Sequence, residues 1–362
     1  MGHRVVIDAF AETPLDALAS QLRIEPQTAP DRDGLGANDV LIAVKSAAVG
    51  WVDLLMTSGQ YQHMAKPPYT PGLEYSGQVI AVGADVTAHS VGDRVLADGL
   101  LTGPRSIGAY QAWGGFASFA VAPENGVMPL PDHWSYDQGA CILGNYETAY
   151  HCLIARGRLQ KGETVLIHGA SGSTGLAAVH VAKLVGATVI ATGRNVDKLE
   201  IVRQQGADHV IHTPEPSFRD QVKALTGGAG VDVVYDGVGG AISMESLRCV
   251  TFGARFLIVG WASTPFVAKG RGQRGAPNAN VLPTNRIMMK GIDVLGCPTA
   301  ISTHRDPSIR RTRLAAIMAW VSEGRLNPYI AASFPLSEVK EAMTAKWESR
   351  FVGGCTLRPD EA

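Results

Sequence analysis

The middle of this 362-residue sequence contains an apolar run that stops in a glycine-rich turn and continues as a helical pattern, over Val165–Leu176. Gly169, Gly172 and Gly175 recur at every third position, so the backbone can bend sharply there and approach a ligand closely. A strand, a tight turn and the start of a helix together present backbone N–H groups to a phosphate, which predicts a dinucleotide pyrophosphate site. Purely structural glycine turns also end many strands, so the neighbouring segments decide between the two interpretations.

The segments that follow supply the context that a dinucleotide site requires. A helical pattern over Ala177–Leu184 leads to a second β-rich run at Gly186–Gly193, which completes a strand–helix–strand unit. We therefore predict that a redox cofactor binds at the turn, with the hydroxyls of Ser173 and Thr174 as additional phosphate contacts. The predicted cofactor contacts in the turn are Gly169, Ser171, Gly172, Ser173, Thr174 and Gly175.

The end of the second strand predicts which cofactor binds. An acidic side chain at this place would accept hydrogen bonds from the adenosine ribose and repel an added phosphate. This chain has Gly193 and Arg194 instead, and Lys198 follows one helical turn later, so a 2′-phosphate would meet two positive charges. We predict NADPH rather than NADH. Asp197 is the opposing feature, but an acid in the first turn of a helix commonly stabilises that helix.

Composition and charge exclude several classes of protein. Hydrophobic residues make up 46% of the chain and the formal net charge is −1 without a long basic block, which argues against nucleic-acid binding. No apolar run reaches the ~18 residues of a membrane span and no signal-peptide core follows His3 and Arg4, so we expect a cytoplasmic protein without a membrane partner. The five cysteines lack Cys-x-x-Cys spacing and are expected to be buried thiols.

Two patterns of predicted structure divide the chain. The first ~135 residues hold short β-like runs such as Asp39–Val49, Tyr75–Val82 and Gly92–Leu96 between glycine and proline turns, which predicts a barrel-like β domain. From about Asp137 onward, strands alternate with helix-length segments, which predicts an α/β domain with a doubly wound parallel sheet. Its six predicted strands are Val165–Gly169, Thr188–Thr192, His209–His212, Val231–Asp236, Phe256–Gly260 and Asp293–Gly296.

The C-terminal part of the chain combines two predicted helices with a final strand. Helical patterns cover Thr312–Glu323 and Leu336–Lys346, and a strand-like run follows at Gly354–Leu357. Before them, the loop Ala262–Leu282 is rich in Gly, Pro, Asn and Arg. Loops of this length are usually functional or mobile.

Short motifs occur in a characteristic order along nearly the whole chain. They are Pro71–Gly77, Val82-Gly83, Val91–Val95, Leu130-Pro131, Thr148–Tyr150, the glycine turn, Gly206–Val210 and Val233–Gly240. In this order they resemble the medium-chain dehydrogenase/reductase superfamily, and within it the quinone oxidoreductase and enoyl reductase branch. The resemblance implies a GroES-like catalytic β-barrel domain at 1–136, a Rossmann NADPH-binding domain at 137–302 and a C-terminal return to the catalytic domain at 303–362.

The resemblance also assigns roles at the carboxyl edge of the parallel sheet. Val238 and Gly239 follow one strand and Gly260 ends the next, at the edge where ligands of open α/β folds bind, so these residues are expected to border the nicotinamide. Glycines that form tight turns from strand to helix are compatible with that contact. Family members pair the strand that corresponds to Asp293–Gly296 across a two-fold axis, which implies a homodimer.

Zinc-dependent members of the superfamily carry ligands at positions where this chain does not. Gly50 stands three residues before Asp53 where they have Cys, and Leu73 stands in Gly72-Leu-Glu74 where they have His. Neither residue can ligate a metal, and the four cysteines of the structural zinc lobe are missing between Asp93 and Phe116. We therefore predict that the protein binds no metal.

Three residues are candidates for the catalytic groups. Tyr61 matches a family position beside the nicotinamide and could donate to the substrate oxygen, although Tyr69 or Tyr146 could serve instead. Asn145 could hold the nicotinamide amide or the substrate carbonyl. Glu147 stands where the branch usually has an apolar residue, and three interpretations remain: a specificity feature, a proton relay, or a solvated helix charge, which we favour.

These features predict an NADPH-dependent, zinc-independent reductase of small electrophilic molecules. Hydride addition to an electron-poor C=C or a quinone generates a delocalised enolate or quinol that hydrogen-bond donors can stabilise, whereas alcohol oxidation favours a Lewis acid. An α,β-unsaturated carbonyl compound, an enoyl thioester or a quinone is therefore the expected substrate. A zinc-free alcohol or ketone reductase and a non-catalytic NADPH-binding protein are the alternatives.

Overall fold

The computed structural model describes residues 2–264, 269–271, 273 and 278–359. In chain order its strands are β1 (Gly2–Ile7), β2 (Leu22–Gln27), β3 (Asp39–Ala48), β4 (Tyr75–Val82), β5 (Arg94–Ala97), β6 (Phe119–Pro123), β7 (Val127–Pro129), β8 (Thr164–Ile167), β9 (Thr188–Gly193), β10 (His209–His212), β11 (Val231–Asp236), β12 (Val250–Ile258), β13 (Asp293–Gly296), β14 (Ile330–Pro335) and β15 (Gly354–Arg358).

The α-helices are α1 (Pro14–Ser20), α2 (Trp51–Thr57), α3 (Tyr136–Ala140), α4 (Leu143–Tyr150), α5 (Ser173–Val185), α6 (Val196–Gln204), α7 (Arg219–Leu225), α8 (Ala241–Ser246), α9 (Thr284–Lys290), α10 (Thr299–Arg305), α11 (Ile309–Ser322) and α12 (Val339–Trp347). A π-helical turn at His151–Arg156 continues α4. Across the described residues, none of the helices is both long and apolar enough to cross a membrane.

Contacts between residues divide the chain into two compact units. Unit 1 consists of Met1–Gly144, Ala268–Arg274 and Pro328–Ala362, and unit 2 consists of Asn145–Val267 and Gly275–Asn327. Residues 303–327, which the sequence assigned to the C-terminal return, therefore group with the residues of the parallel sheet.

Unit 1 is built around the long strand β3. It pairs antiparallel with β4, β6 and β15, in a seven-stranded sheet whose path is β14-β15-β3-β4-β5-β7. Val40, Ile42 and Val44 alternate along β3 and are fully buried, as expected for a strand with one face on the core. Among the described residues, only β14 and β15 pair parallel in this sheet, and the largely antiparallel domain confirms the predicted GroES-like β fold.

Unit 2 contains a six-stranded parallel sheet with the order β10-β9-β8-β11-β12-β13. The order reverses between β8 and β11, and in such doubly wound sheets the ligand binds outside the carboxyl ends of the strands at that reversal. The strands are short and apolar because both faces of the sheet are covered, so residues such as Leu166, Ile190 and Val234 are fully buried. The predicted Rossmann fold is confirmed, and this edge is where the site must be sought.

The predicted strands agree closely with the observed ones. His209–His212, Val231–Asp236 and Asp293–Gly296 have the predicted bounds. The largest difference is at β12, predicted at Phe256–Gly260, which begins six residues earlier at Val250 and ends at Ile258. At its start β12 shifts register against β11, because the partner of Val231 is Val250 and the partner of Val233 is Arg255. At its end, Val259 and Gly260 lie outside the strand and donate their N–H groups to the carbonyl of Asp236.

Candidate active site

The glycine turn is held tightly folded by its own backbone. Gly169 has φ +63, a conformation that side chains other than glycine rarely adopt, and the N–H of Gly172 donates to the carbonyl of Gly169 at 2.9 Å. A Cβ on Gly175 would lie 2.2 Å from that same carbonyl oxygen, so only glycine lets α5 start this close to β8. Gly172 is the N-cap of α5, and the positive end of this 13-residue helix therefore begins at the turn.

A buried histidine beneath the turn fixes its position, and sequence reasoning missed it. His168 Nδ1 lies 2.8 Å from Thr192 Oγ1, and His168 Nε2 lies 2.7 Å from Ser246 Oγ. Because the single hydroxyl proton of Ser246 goes to the carbonyl of Ile242, Nε2 must be the protonated nitrogen and Nδ1 must accept from Thr192. Burial lowers the pKa of His168 to about 4, so the ring is neutral and joins β8, β9 and α8.

The two predicted phosphate-binding cations lie close together at the end of β9. Arg194 is exposed, and Asn195 caps α6 by accepting a hydrogen bond at 2.9 Å from the backbone N–H of Lys198. Burial, and then the positive charge of Arg194, lower the pKa of Lys198. The nearness of two like charges creates a local preference for an anion. Asp197 is exposed in the first turn of α6, as its helix-stabilising interpretation requires.

The turn after β11 is held by a second network. The Asp236 carboxylate accepts hydrogen bonds from the backbone N–H groups of Val238 at 2.8 Å and Gly239 at 2.9 Å, and also from the hydroxyl of Ser243. Asn280 completes the network, because its Oδ1 accepts from the N–H of Gly240 at 3.2 Å and its Nδ2 donates to Ser243 Oγ at 2.7 Å. The loop that contains Asn280 was noticed in the sequence for its length, but no pattern marked this residue.

The predicted cofactor residues of the two turns lie side by side in unit 2. A Cβ on Gly169 would be 3.4 Å from a methyl group of Val238, and a Cβ on Gly260 would be 3.2 Å from the carbonyl oxygen of Gly237. The glycine turn, the turn after β11 and the end of β12 thus form one continuous surface at the reversal of strand order. This is the arrangement that an extended dinucleotide requires.

Asn145 is joined to the glycine turn. The hydroxyl of Thr174 donates to Asn145 Oδ1 at 3.1 Å. The one hydroxyl proton of Thr174 is therefore directed at Asn145, and the predicted additional phosphate contact from this hydroxyl stays a prediction. Asn145 nevertheless lies at the predicted cofactor surface, so its proposed contact with the nicotinamide amide or the substrate carbonyl stays a prediction.

Glu147 is not a solvated helix charge, and this favoured interpretation is wrong. Only 3% of the residue is exposed. Its two carboxylate oxygens accept hydrogen bonds from the guanidinium groups of Arg310 and Arg313, and Arg313 also donates to Thr303 Oγ1 at 2.8 Å. Hydrogen bonds and charges from the two arginines outweigh burial and lower the pKa of Glu147. A carboxylate held ionised by two arginines is a poor proton relay.

The tyrosine candidates differ in their surroundings. Tyr61 is half-buried and packs against the core of unit 1. Tyr69 is 5% exposed, and its hydroxyl has no hydrogen-bond partner among the described residues. Burial, followed by the charge of Asp53, raises the pKa of Tyr69 far above its usual range, so this phenol is a weaker acid than an exposed one. The hydroxyl of Tyr146 lies 2.8 Å from His180 Nδ1. The role of Tyr61 stays a prediction.

The residues at the zinc-ligand positions do not suit a metal. Leu73 is 5% exposed in the core of unit 1. Asp53 accepts hydrogen bonds from three backbone N–H groups, at 2.9 Å from Gly50 and at 3.1 Å from both Gly72 and Leu73. Burial raises the pKa of Asp53 to about 6 against the effect of these donors. Among the described residues, no group of three His, Cys, Asp or Glu side chains has an arrangement able to hold a metal ion.

Comparisons with known proteins agree with this architecture. The family described as "Alcohol dehydrogenase GroES-like domain" matches residues 36–132, and the family described as "Zinc-binding dehydrogenase" matches residues 173–306. The quinone oxidoreductase-like protein 2 homolog of Nematostella vectensis is 34% identical over 86% of this chain and 79% of its own length. Human quinone oxidoreductase is 31% identical over 84% of each chain.

A solved structure extends the similarity over the whole chain. The mycobacterial protein Rv1454c, in a complex with NADPH, has a TM-score of 0.79 at 25% identity, with coverage of 99% of this chain and 100% of its own. The surface formed by the two turns, together with these relatives, indicates a nicotinamide cofactor. The chain therefore belongs to the medium-chain dehydrogenase/reductase superfamily, in its quinone oxidoreductase and enoyl reductase branch, and is an oxidoreductase.

Proposed function

We propose that the chain is an NADPH-dependent, zinc-independent reductase of electron-poor C=C bonds or quinones. The single observation that carries the proposal is the pair of neighbouring cations, Arg194 and Lys198, at the end of β9. A 2′-phosphate there relieves the repulsion between them and receives charge-assisted hydrogen bonds, whereas the uncharged ribose hydroxyl of NADH offers neither gain.

The residues of the two turns would hold NADPH, which when bound would supply the hydride that reduces the substrate. The chain's own residues hold the cofactor, exclude water and donate hydrogen bonds to the oxygen on which negative charge develops. Tyr61 and Asn145 are the proposed donors. Tyr61 is proposed by analogy with the family, and Asn145 is proposed because it lies beside Thr174 of the glycine turn. Glu147 is a positioning residue in this proposal, because both of its oxygens are bound by arginines.

The choice of substrate class follows from the side chains at the two zinc-ligand positions. Gly50 and Leu73 carry no metal-binding atom, so an alkoxide would lack the Lewis acid that stabilises it in zinc alcohol dehydrogenases. An enolate or quinol spreads its charge over several atoms and needs only hydrogen-bond donors. The relatives named quinone oxidoreductase support this class.

Cofactor selectivity tests the central step. We expect Arg194→Ala and Lys198→Ala each to raise KM for NADPH by about 10-fold to 100-fold, because each removes one hydrogen bond to a charged group. KM for NADH should stay nearly unchanged. Arg203→Ala is the matched control, because Arg203 lies on the same helix but is paired with Glu200 at 2.6 Å. Equal changes for NADPH and NADH, or a wild-type preference for NADH, would contradict the proposal.

A substrate panel tests the chemistry. Enones, enoyl thioesters, quinones and ketones are compared at saturating NADPH by the loss of absorbance of the reduced nicotinamide. Turnover of enones, thioesters or quinones but not of ketones is expected. Turnover of ketones alone would instead identify a zinc-free ketone reductase, and tight NADPH binding without any turnover would identify a non-catalytic binding protein.

We propose that the protein forms a homodimer through the edge of the parallel sheet. β13 is the last strand of the sheet, so it pairs with β12 along one edge and has no neighbouring strand along the other edge among the described residues. An unpaired strand edge offers backbone donors and acceptors to a second copy, and a two-fold axis would satisfy both edges at once.

A further inference from the structure

A cleft in unit 2 gathers positive charge away from the cofactor surface. It has a volume of about 260 Å³, and its lining residues are Arg219, Leu247, Arg248, Arg286, Met289 and Lys290. They come from the start of α7, the segment after α8, and α9. The Nζ atom of Lys290 donates to the carbonyl of Val250, the first residue of β12, at 3.1 Å. The cleft therefore borders the amino end of this strand, whereas the cofactor residues follow the carboxyl ends.

The positive charges of this cleft are poorly neutralised. Within the described residues, Arg286 and Lys290 have no carboxylate within ion-pair distance. Arg219 reaches Asp220 only at 3.7 Å, and the side chain of Asp220 is 93% exposed. Among the described residues, the close acid of this cleft is Glu245, which pairs with Arg248 at 2.9 Å and accepts from the backbone N–H of Arg219 at 3.3 Å.

The cations are near enough to repel one another. Burial, and then the charges of Lys223, Arg286 and Arg219, lower the pKa of Lys290. Lys223 lies on the same helix as Arg219 and is anchored to the carbonyls of Gly228 and Ala229 at 2.9 Å and 3.0 Å. Such a cluster is destabilising unless an anion lies between its members.

The surplus is local and does not follow from the composition. The chain has 32 Lys and Arg residues against 33 Asp and Glu residues. Some surface arginines elsewhere have acid partners, as in the pairs Arg203–Glu200 at 2.6 Å and Arg325–Glu323 at 3.0 Å. The cleft brings several cations together beside one close acid, and this local excess of positive charge indicates a ligand of opposite charge.

We propose that this cleft binds a small phosphorylated anion of the diphosphate or phosphomonoester class. Arginine side chains match phosphate oxygens with paired hydrogen bonds, and lysine adds a compact charge. Leu247 and Met289 provide apolar surface for the organic part of such a molecule. The volume is just below the ~300–1,000 Å³ of pockets that hold drug-sized ligands, which favours a small anion over a folded acidic segment.

Titration of the full-length protein with inorganic pyrophosphate by calorimetry, at constant ionic strength, tests the proposal. We expect saturable binding that weakens as ionic strength rises. Arg286→Ala and Lys290→Gln are each expected to weaken it by about tenfold or more, since each removes one charged hydrogen-bond donor. Arg286 is exposed, so its replacement leaves the fold intact, and KM for NADPH stays unchanged in that variant.

Two control variants separate this site from others. Arg203→Ala removes an exposed but paired arginine and should leave pyrophosphate binding unchanged. Arg194→Ala reports on pyrophosphate held at the proposed 2′-phosphate position of the cofactor surface. Absence of saturable binding, or binding that Arg286→Ala and Lys290→Gln leave intact, would overturn the proposal. Binding of a poly-glutamate peptide that depends on Arg286, without pyrophosphate binding, would also overturn it and identify an acidic protein as the partner.

Discussion

Replacing Glu147 with glutamine tests whether this residue acts through the fold or on the reaction. The side chains of Glu147, Arg310 and Arg313 are 4%, 9% and 2% exposed, so their charges are almost fully removed from water. Glu147→Gln preserves the shape but leaves two guanidinium groups buried without a countercharge. Breaking a buried ion pair in this way costs about 3–5 kcal/mol. At 2–4 °C per kcal/mol for a domain of this size, the melting temperature should fall by ~6–20 °C.

The pH dependence of stability gives the same test a second measurement. Because the two arginines lower the pKa of folded Glu147 below its ordinary value of 4.5, its ionisation stabilises the fold above that pH and the contribution is lost as the pH falls. Thermal melts of wild type and Glu147→Gln between pH 7 and pH 3 should therefore converge on the acidic side. The variant has no carboxyl group at this place to titrate.

A matched control and a clear contrary result complete the experiment. Glu200→Gln breaks an ion pair with Arg203 whose side chains are 46% and 54% exposed, and such surface pairs contribute at most about 1 kcal/mol. Its melting temperature should change by a few degrees at most. If Glu147→Gln melts like the wild type but loses most of its kcat, the carboxylate acts on the reaction, and the structural explanation is refuted.

Three further predictions follow from the hydrogen-bond networks and the sheet order. Asn280→Ala should weaken nicotinamide-cofactor binding by about tenfold, because two hydrogen bonds that hold the turn at Gly240 are lost, and fluorescence titration measures this directly. The pKa of Asp53 is raised from its ordinary value of 3.8 to about 6 in the folded protein. Between these two pH values, Asp53 keeps its proton in the folded protein and has lost it in the unfolded chain. As the pH rises through this window, thermal melts should show the melting temperature of the wild type falling relative to that of Asp53→Asn. A difference in melting temperature that does not change with pH would contradict the raised pKa of Asp53. Light scattering after gel filtration should give twice the chain mass of 38.3 kDa if β13 pairs with a second copy, whereas the single-chain mass would exclude the dimer.

The parallel sheet could be predicted from the sequence because its signals are local. A strand buried on both faces reads as a short apolar run, and turn residues bound it on each side. Val231–Asp236 is such a run, and the structure has it with the predicted bounds. The first half of strand β12 could not be predicted in this way, because Thr251 and Gly253 interrupt the apolar run there.

The side-chain networks of the site could not be predicted, because their partners are far apart in the sequence. Glu147 and Arg310 are 163 residues apart, and only the packing of α11 on α4 brings them together. His168 looked like one polar residue at the end of an apolar run, and its partner Ser246 lies 78 residues away. Sequence patterns give the period and ends of an element but do not give the neighbours of a single side chain.

The two positions at which zinc-dependent members of the family carry ligands are built into the local structure of this chain. A Cβ on Gly50 would lie 2.9 Å from Asp53 Oδ2, so any larger residue there would require a shift of the Asp53 carboxylate, which accepts from the N–H groups of Gly72 and Leu73. Leu73 fills the core where a ligand would need an open, polar cavity. In this chain backbone N–H groups that donate to Asp53 fix the turn at Gly72 and Leu73. The Asp53 carboxylate is part of the structure of this turn, and in the proposed mechanism hydrogen-bond donors stabilise the charge that develops on the substrate.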